Sequence, residues 1–453
     1  MFRRALFLLG LIWALGAAAE SRFPPPDFES GHKLPLTTTP PARSLALQYV
    51  DVAVLLAALG AATWLAYRPR SRRGLTLLSI FSVAYFGFYR EGCICAIGSL
   101  QNVALTLFDR SYAVPLTVLA FFLAPLAVAL FWGRTFCAAV CPHGALQDLV
   151  LIKPLRVPAW VEHSLGVIPF LFLGAGAILG ACGCGFVICR YDPFVPLFRL
   201  SGSLSLLTLG AAFVLVGMVI GRPYCRFLCP YGALLRLAAL AAKWRIRVTP
   251  DVCTQCRLCE HSCPYGAMRE PTPPGPAPES PAAERRRLAW LLLLLPLLIG
   301  IGALVGARLG PAAAQLHPAV ALAERHLANL AQPANYPPMT AEALSLERAA
   351  ADPEAVLATA RIVRQRLDLA AWLFGGWAGL VIGLKLISLS LRVTRTDFEP
   401  DRGACVACAR CFLSCPNERV RLGLPLDPAA PVASPAPAAP LAASPVVPAS
   451  SPR

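Results

Sequence analysis

The chain reads as an α-helical membrane protein: a polytopic helix bundle with internal duplication, carrying a small cysteine-rich α+β domain that is split in two along the sequence. Three observations predict this. Of 453 residues, 57% are hydrophobic and only 15% charged, the balance of an integral membrane chain. Seven apolar segments match the length needed to cross a bilayer, about 17 to 25 residues; they lie near 47–67, 75–91, 113–132, 164–183, 203–220, 288–307 and 369–391. Two runs of Cys-x2-Cys-x2-Cys-x3-Cys-Pro stand at Cys253, Cys256, Cys259, Cys263, Pro264 and at Cys405, Cys408, Cys411, Cys415, Pro416.

The N-terminus, with Arg3 and Arg4 before an apolar run that ends in Ala17-Ala18-Ala19, has the form of a secretory signal or an uncleaved anchor over 1–19. Either way, the short segment 20–46 begins outside the cytoplasm, and the bundle follows over 47–250. Counting spans from there puts Arg68, Arg70, Arg72, Arg73, Lys153, Arg156, the stretch 222–287 and Arg392, Arg395 and Arg402 on the inner side, as the positive-inside rule requires. The outer loop 308–368 has six arginines matched by six acidic residues, so it lacks that basic excess. The net charge of +16 is therefore a topology signal; clustered beside apolar segments, it argues against a nucleic-acid face.

Three thiolates two residues apart wrap one face of a [4Fe–4S] cube, and the fourth, before proline, reaches the neighbouring cube. The expected sets are Cys253, Cys256 and Cys259 with Cys415, and Cys405, Cys408 and Cys411 with Cys263. A pair of zinc knuckles is the alternative for such spacing. Both motifs, 251–270 and 392–423, fall on the cytoplasmic side although a two-helix excursion separates them, so the domain is a split two-cluster ferredoxin-like α+β unit. Between the motifs lie a proline-rich linker at 271–287, the span 288–307, the loop 308–368 with helical patterns in 341–367, and the span 369–391. The tail 424–453 is Pro/Ala-rich and expected to be disordered.

Upstream, Gly133-Arg134-Thr135-Phe136-Cys137-Ala138-Ala139-Val140-Cys141-Pro142-His143-Gly144-Ala145-Leu146 recurs 88 residues later as Gly221-Arg222-Pro223-Tyr224-Cys225-Arg226-Phe227-Leu228-Cys229-Pro230-Tyr231-Gly232-Ala233-Leu234. If each string is helical, residues i and i+4 share a face, so Cys137 with Cys141 and Cys225 with Cys229 each offer two sulfurs in one direction. That suits a further metal, a cluster or a redox dithiol; buried small apolar residues are the plainer reading. At the outer end stand Cys93, Cys95, Cys182, Cys184 and Cys189, for which a disulfide and a redox site are both open. Six histidines, only His163 of them at the edge of a span, do not suit a transmembrane haem pair. Arg134, His143 and Arg222 lie near the inner interface, where a quinone headgroup or lipid phosphate would dock.

The tandem Gly-Arg-x2-Cys-x3-Cys-Pro-x-Gly-Ala strings followed by two ferredoxin motifs resemble the NosR/NapH-type membrane polyferredoxins over roughly 75–420. The strings at Phe88–Cys95 and Ile188–Phe194 are closer to the NosR-like branch. The resemblance implies a bacterial inner-membrane protein that moves electrons between a quinol or cytoplasmic donor and an extracytoplasmic respiratory or maturation partner. NosR proteins carry a flavin-binding domain before the helices. The segment 20–46 is too short for one, so a separate flavoprotein is the expected source, and Ala96 stands where the family usually has proline. The related CcoG-type copper-handling proteins supply the alternative, a metal-handling or biogenesis factor working through the paired cysteines.

Overall fold

A computed structural model describes residues 43–92, 96–248, 253–272, 281–331, 353–391 and 393–425. The signal segment, nearly all of 20–46, Cys93 and Cys95, residues 273–280 of the proline-rich linker and the tail from 426 lie outside the described residues. The protein is mainly helical, with one two-stranded sheet.

Four helices are long and apolar enough to cross a membrane: Leu45–Tyr67, Ala159–Ala181, Ala282–Gln315 and Glu354–Ser390. Each coincides with a predicted span. The second predicted span is a helix, Arg72–Ser82, that runs on into a π-helical segment, Val83–Tyr89. The third and fifth are shorter apolar helices, Leu116–Trp132 and Leu204–Gly217. A further apolar helix, Ala96–Phe108, was not expected. Its polar positions Ser99, Gln101 and Asn102 interrupt the hydropathy run, yet Ser99 and Gln101 are buried, Ser99 bonded back to the Ala96 carbonyl and Gln101 to a neighbouring segment. The Gln101 side-chain carbonyl accepts from the Ile188 N–H at 2.9 Å, and a side chain at Gly180 would meet the Gln101 backbone at 3.1 Å.

The first helix and the next return antiparallel, closed at one end by Asp51. Its carboxylate is 1% exposed and takes Arg90 at 3.1 Å and the Tyr85 hydroxyl at 2.9 Å. At the other end the Tyr67 hydroxyl donates to the carbonyls of Trp132 (2.7 Å) and Trp244 (3.1 Å).

The last two long helices form an antiparallel hairpin longer than the bilayer core. At 1.5 Å per residue the 35-residue helix Pro281–Gln315 is about 52 Å long, against roughly 30 Å of hydrocarbon. Its first turns occupy residues assigned from composition to the linker, since Pro fits the first helical turn. The far end continues through Pro318–Ala331 into a cap in which Leu322 and Ala323 meet Val356 and Ala360, with Arg364 paired to Glu324 at 2.5 Å.

Glycine sets how closely the hairpin helices approach. A Cβ at Gly302 would lie 2.2 Å from the Gly375 carbonyl, one at Gly306 2.1 Å from that of Ala371, one at Gly375 2.1 Å from that of Gly302, and one at Gly379 2.2 Å from that of Leu298. Backbones meeting at this distance pack by van der Waals contact in a solvent that offers no hydrophobic drive between helices. The hairpin docks on the bundle where Trp377 lies over Gly174 and donates to the Phe170 carbonyl at 2.8 Å.

Gly375→Ala is therefore expected to destabilise the solubilised protein by about 1–3 kcal/mol through overpacking. Gly376→Ala, where the nearest neighbour stands at 3.8 Å, should leave the melting temperature unchanged; thermal unfolding of the two variants side by side checks this.

Candidate metal centre

The two cysteine motifs meet although 141 residues separate Cys408 from Ala267, whose flanking strands pair. Strand β1, Met268–Arg269, is antiparallel to β2, Glu399–Pro400, with Met268 opposite Pro400. The Asp401 N–H donates to the Ala267 carbonyl at 2.7 Å, and the Thr272 N–H to the Arg395 carbonyl at 2.9 Å. One α+β lobe thus forms from both halves.

Within it, cysteines of both motifs line common cavities. One small cavity is lined by Cys253, Cys256, Cys259 and, from the other motif, Cys415. A second is lined by Cys405, Cys408, Cys411 and Cys263. The two motifs share a backbone path: Gln255 and Arg257 in the first, Ala407 and Ala409 in the second, all have φ between 50° and 61°. Left-handed non-glycine residues at matching places turn successive N–H groups to one side, the concavity that anionic centres occupy. The Ala267 N–H donates to the Cys263 sulfur at 3.4 Å.

Electrostatics follow the same grouping. Burial, then Cys415, Cys253 and Cys256, push the Cys259 thiol up to about 12. Burial also drives Cys405 up to about 12, with Cys408 and Cys263 adding to it against an Ala407 N–H. A thiol that reluctant to ionise becomes a thiolate only against compensating positive charge, which bound iron would supply. Four sulfurs per cavity, inward N–H groups and an apolar surround fit a [4Fe–4S] cube. Among the described residues, no group of three or more Cys, His, Asp or Glu side chains closes on a single metal ion.

The second Cys-x3-Cys-Pro prediction needs correcting in its geometry. Cys137 lies in a π-helical turn, Phe136–Val140, and Cys225 in a short helix, Pro223–Phe227, but Cys141 and Cys229 are extended, with ψ of 119° and 112°. Pro142 and Pro230 disfavour the helical conformation for the residue before them and instead open the helices Pro142–Leu149 and Pro230–Leu240. Each pair therefore straddles a helix boundary and does not share one helical face. The four cysteines still converge, since Cys137 raises the Cys225 pKa, and Cys225, Cys141 and Cys137 raise that of Cys229, after burial as the main cause. Polar hydrogens approach three of the sulfurs: Arg134 to Cys137 at 3.8 Å, Gln147 to Cys225 at 3.4 Å and the Gly232 N–H to Cys229 at 3.2 Å.

The two strings cross-brace one another. A Cβ at Gly144 would stand 3.6 Å from the Arg222 guanidinium, and one at Gly232 3.4 Å from that of Arg134. Arg222 also donates to the carbonyls of Cys137 and Ala138, and Arg134 reaches the Gly403 carbonyl of the lobe at 3.1 Å. Arg134, His143 and Arg222 are 7%, 0% and 2% exposed, so none of them opens to the interface as a docking residue. His143 instead faces Asp192 at 3.3 Å inside a ring of Phe194, Phe198 and Tyr224. Cys182 and Cys184 are half-buried, and a Cβ at Gly98 would meet the Cys189 sulfur at 2.8 Å.

Sequence reasoning missed Asp148. Its buried carboxylate accepts Arg72 at 2.5 Å, Arg410 at 3.1 Å, Arg222 at 3.5 Å and the Tyr265 hydroxyl. The signal was a mismatch between the two strings: 88 residues on, the places of Gln147 and Asp148 are taken by Leu235 and Arg236. Glu418, 1% exposed and paired with Arg70 at 2.5 Å, was missed as well. Arg70 also lies over the Phe412 ring at 4.4 Å.

Comparison with known proteins follows this geometry. A 4Fe-4S binding domain model matches residues 114–156 and 203–248, the segments carrying the two strings, and a second 4Fe-4S binding domain model matches 246–269 around the first motif. Protein NirI of Paracoccus denitrificans is 34% identical over 155 residues, 31% of this chain and 22% of NirI. The regulatory protein NosR of Pseudomonas aeruginosa is 29% identical over 233 residues, 48% of this chain and 32% of NosR. The putative electron transport protein YccM of Escherichia coli is 24% identical over 186 residues, 37% and 52% of the two chains. The match thus spans well under two thirds of each of these three relatives. No solved structure matches. Fold and site define a membrane-associated protein with 4Fe–4S binding domains. Its resemblance to the NosR/NapH-type polyferredoxins stands.

Burial pushes the Asp148 carboxyl up, but Arg222, Arg72, Arg410 and the Tyr265 hydroxyl outweigh it and hold the pKa well below the usual carboxylate range. A depressed carboxylate adds stability above its unfolded value of about 3.9 and loses it as pH falls further toward the folded value. Asp148→Asn should therefore cost about 3–5 kcal/mol near pH 7, with the gap to the parent protein holding down to about pH 4 and narrowing below it; thermal melts across that range measure it.

Proposed function

We propose that the chain is a membrane electron carrier passing single electrons through two [4Fe–4S] clusters, one on Cys253, Cys256, Cys259 and Cys415, the other on Cys405, Cys408, Cys411 and Cys263. The observation that carries this is the exchange of fourth cysteines: each four-cysteine cavity takes three sulfurs from one motif and one from the other. A bound cube supplies reversible one-electron chemistry at low reorganisation. The chain's own residues do the rest. Cysteines anchor the cubes, N–H groups of the left-handed turns face the sulfurs, and the apolar surround of Val248, Phe398, Met268 and Tyr265 limits water. The arginines around Asp148 and Gly403 offset the negative charge of thiolate-bound iron.

The basic loop with Arg70 and Arg72, both Cys-x3-Cys-Pro strings and the lobe gather at one end of the bundle. Under the positive-inside rule this end is the cytoplasmic face of a bacterial inner membrane. We read the two strings as duplicated hairpins, supported by their matching helix starts and reciprocal Arg–Gly contacts. The converging Cys137, Cys141, Cys225 and Cys229 are the proposed site of a third redox centre or metal. Electrons would then pass between a quinol or cytoplasmic donor and an extracytoplasmic partner, such as a separate flavoprotein. The metal-handling reading uses the same four cysteines to bind copper.

Low-temperature EPR of anaerobic membranes separates these. Cluster signals that appear with a reduced menaquinone analogue and vanish in Cys256→Ala identify a quinol-linked carrier. Signals elicited by dithionite alone remove the quinol route. Cys415→Ser and Cys263→Ser, each distant in sequence from the cluster it serves, should each lower bound iron from about eight per chain toward four, or to none if the lobe fails to close; unchanged iron in both would sink the exchanged-ligand assignment.

A further inference from the structure

A second concave site lies on the lobe's flank, away from the cysteines. A cavity of about 480 Å³ is lined by Tyr67, Trp244, Lys243, Arg245, Arg247 and Arg402. No carboxylate lines it. Four cations sharing a concavity repel one another. Burial and the like charges of Arg402 and Arg247 lower the Arg245 pKa from its ordinary value, with Glu399 opposing. An anion seated there relieves that repulsion.

The rim says where the anion comes from. Trp244 stacks on Trp132, the last residue of the helix Leu116–Trp132, with ring centroids 5.2 Å apart and planes at 24°. Lys243 stands 5.1 Å over the Trp244 ring. Beside them Leu237 and Leu240 project outward from the helix Pro230–Leu240, about half exposed. Stacked Trp at the end of an apolar helix, with basic residues just beyond, marks headgroup depth in a bilayer. A soluble acidic protein would have to displace lipid to reach it.

We infer that this cavity binds the phosphate of an anionic phospholipid headgroup, and that the bound headgroup braces the two halves of the cysteine lobe. Arg245 and Arg247 lead into the first motif and Arg402 precedes Cys405 in the second, so one phosphate between them adds a bridge between the two halves of the lobe. A ligand bound to the folded state alone raises its stability by mass action.

The test uses the whole protein in nanodiscs of phosphatidylglycerol or of phosphatidylcholine, read by native mass spectrometry and thermal unfolding. The parent protein should retain phosphatidylglycerol and unfold at a higher temperature in that lipid. The triple variant Arg245→Gln/Arg247→Gln/Arg402→Gln should lose retained lipid by roughly tenfold or more and lose the lipid-dependent shift. Arg402→Lys, which keeps the charge, should preserve both and shows whether loss reflects misfolding. Equal retention and melting in the two lipids overturns the inference. So does inorganic phosphate reproducing the full shift in phosphatidylcholine, which would make the ligand a soluble anion. Loss of poly-glutamate binding in the triple variant, with lipid retention intact, also overturns it and makes the face a protein-docking surface.

Discussion

Among the contacts that join the cysteine lobe to the membrane bundle, the most widely shared is one buried carboxylate. Asp148 takes Arg72 from the first basic loop, Arg222 from the second Gly-Arg string, Tyr265 from the first half of the lobe and Arg410 from the second. A lone buried carboxylate would be expelled or protonated, and the buried Arg222 guanidinium without it would be left uncompensated. Only the docked arrangement satisfies all of them together, so the ion cluster acts less as a source of net stability than as a lock on relative position. The lobe sits in one register because no other register leaves these charges paired.

The same lock explains why the chain can afford a domain interrupted by a membrane hairpin. The halves must return to one place after more than a hundred intervening residues. Their own sheet is only two residues wide on each side, too little to direct assembly. The glycine-lined hairpin supplies the missing precision from outside: with backbones in contact at Gly302, Gly306, Gly375 and Gly379, its helices have little freedom to slide. Trp377 then fixes the pair on the bundle. Position is transmitted by rigid helices to Ser390, whose carbonyl accepts from Arg287 at 3.0 Å, and from there to the lobe.

How much of this was legible depended on how local the signal was. That the two motifs bind 4Fe–4S was readable because the x2-x2-x3 spacing and the proline encode the backbone path within eleven residues. The long spans were readable because twenty apolar residues have few alternatives. The helix Ala96–Phe108 was not, because Ser99, Gln101 and Asn102 lower its hydropathy, Gln101 while serving partners far along the chain. Cys141 and Cys229 were assigned to helices on spacing alone, although the proline after each already argued for an extended residue. Asp148 and Glu418 were illegible as partners, since a single carboxylate says nothing of which arginine folds onto it.

The two Gly-Arg strings show how near-identity and difference divide the labour. Where they agree, at Arg134 and Arg222 and at Gly144 and Gly232, each string braces the other, and the agreement is geometric: any side chain in place of either glycine would press on the opposite guanidinium or the neighbouring cysteine backbone. Where they differ, at Gln147-Asp148 against Leu235-Arg236, the bundle stops being symmetric. Gln147 holds the Tyr224 N–H at 3.0 Å and approaches the Cys225 sulfur, and Asp148 receives the lobe, whereas Arg236 lies against Gly403 on the lobe's other side. Two equal strings would offer the lobe two equal seats. An acid at one place and a base at its counterpart leave it one.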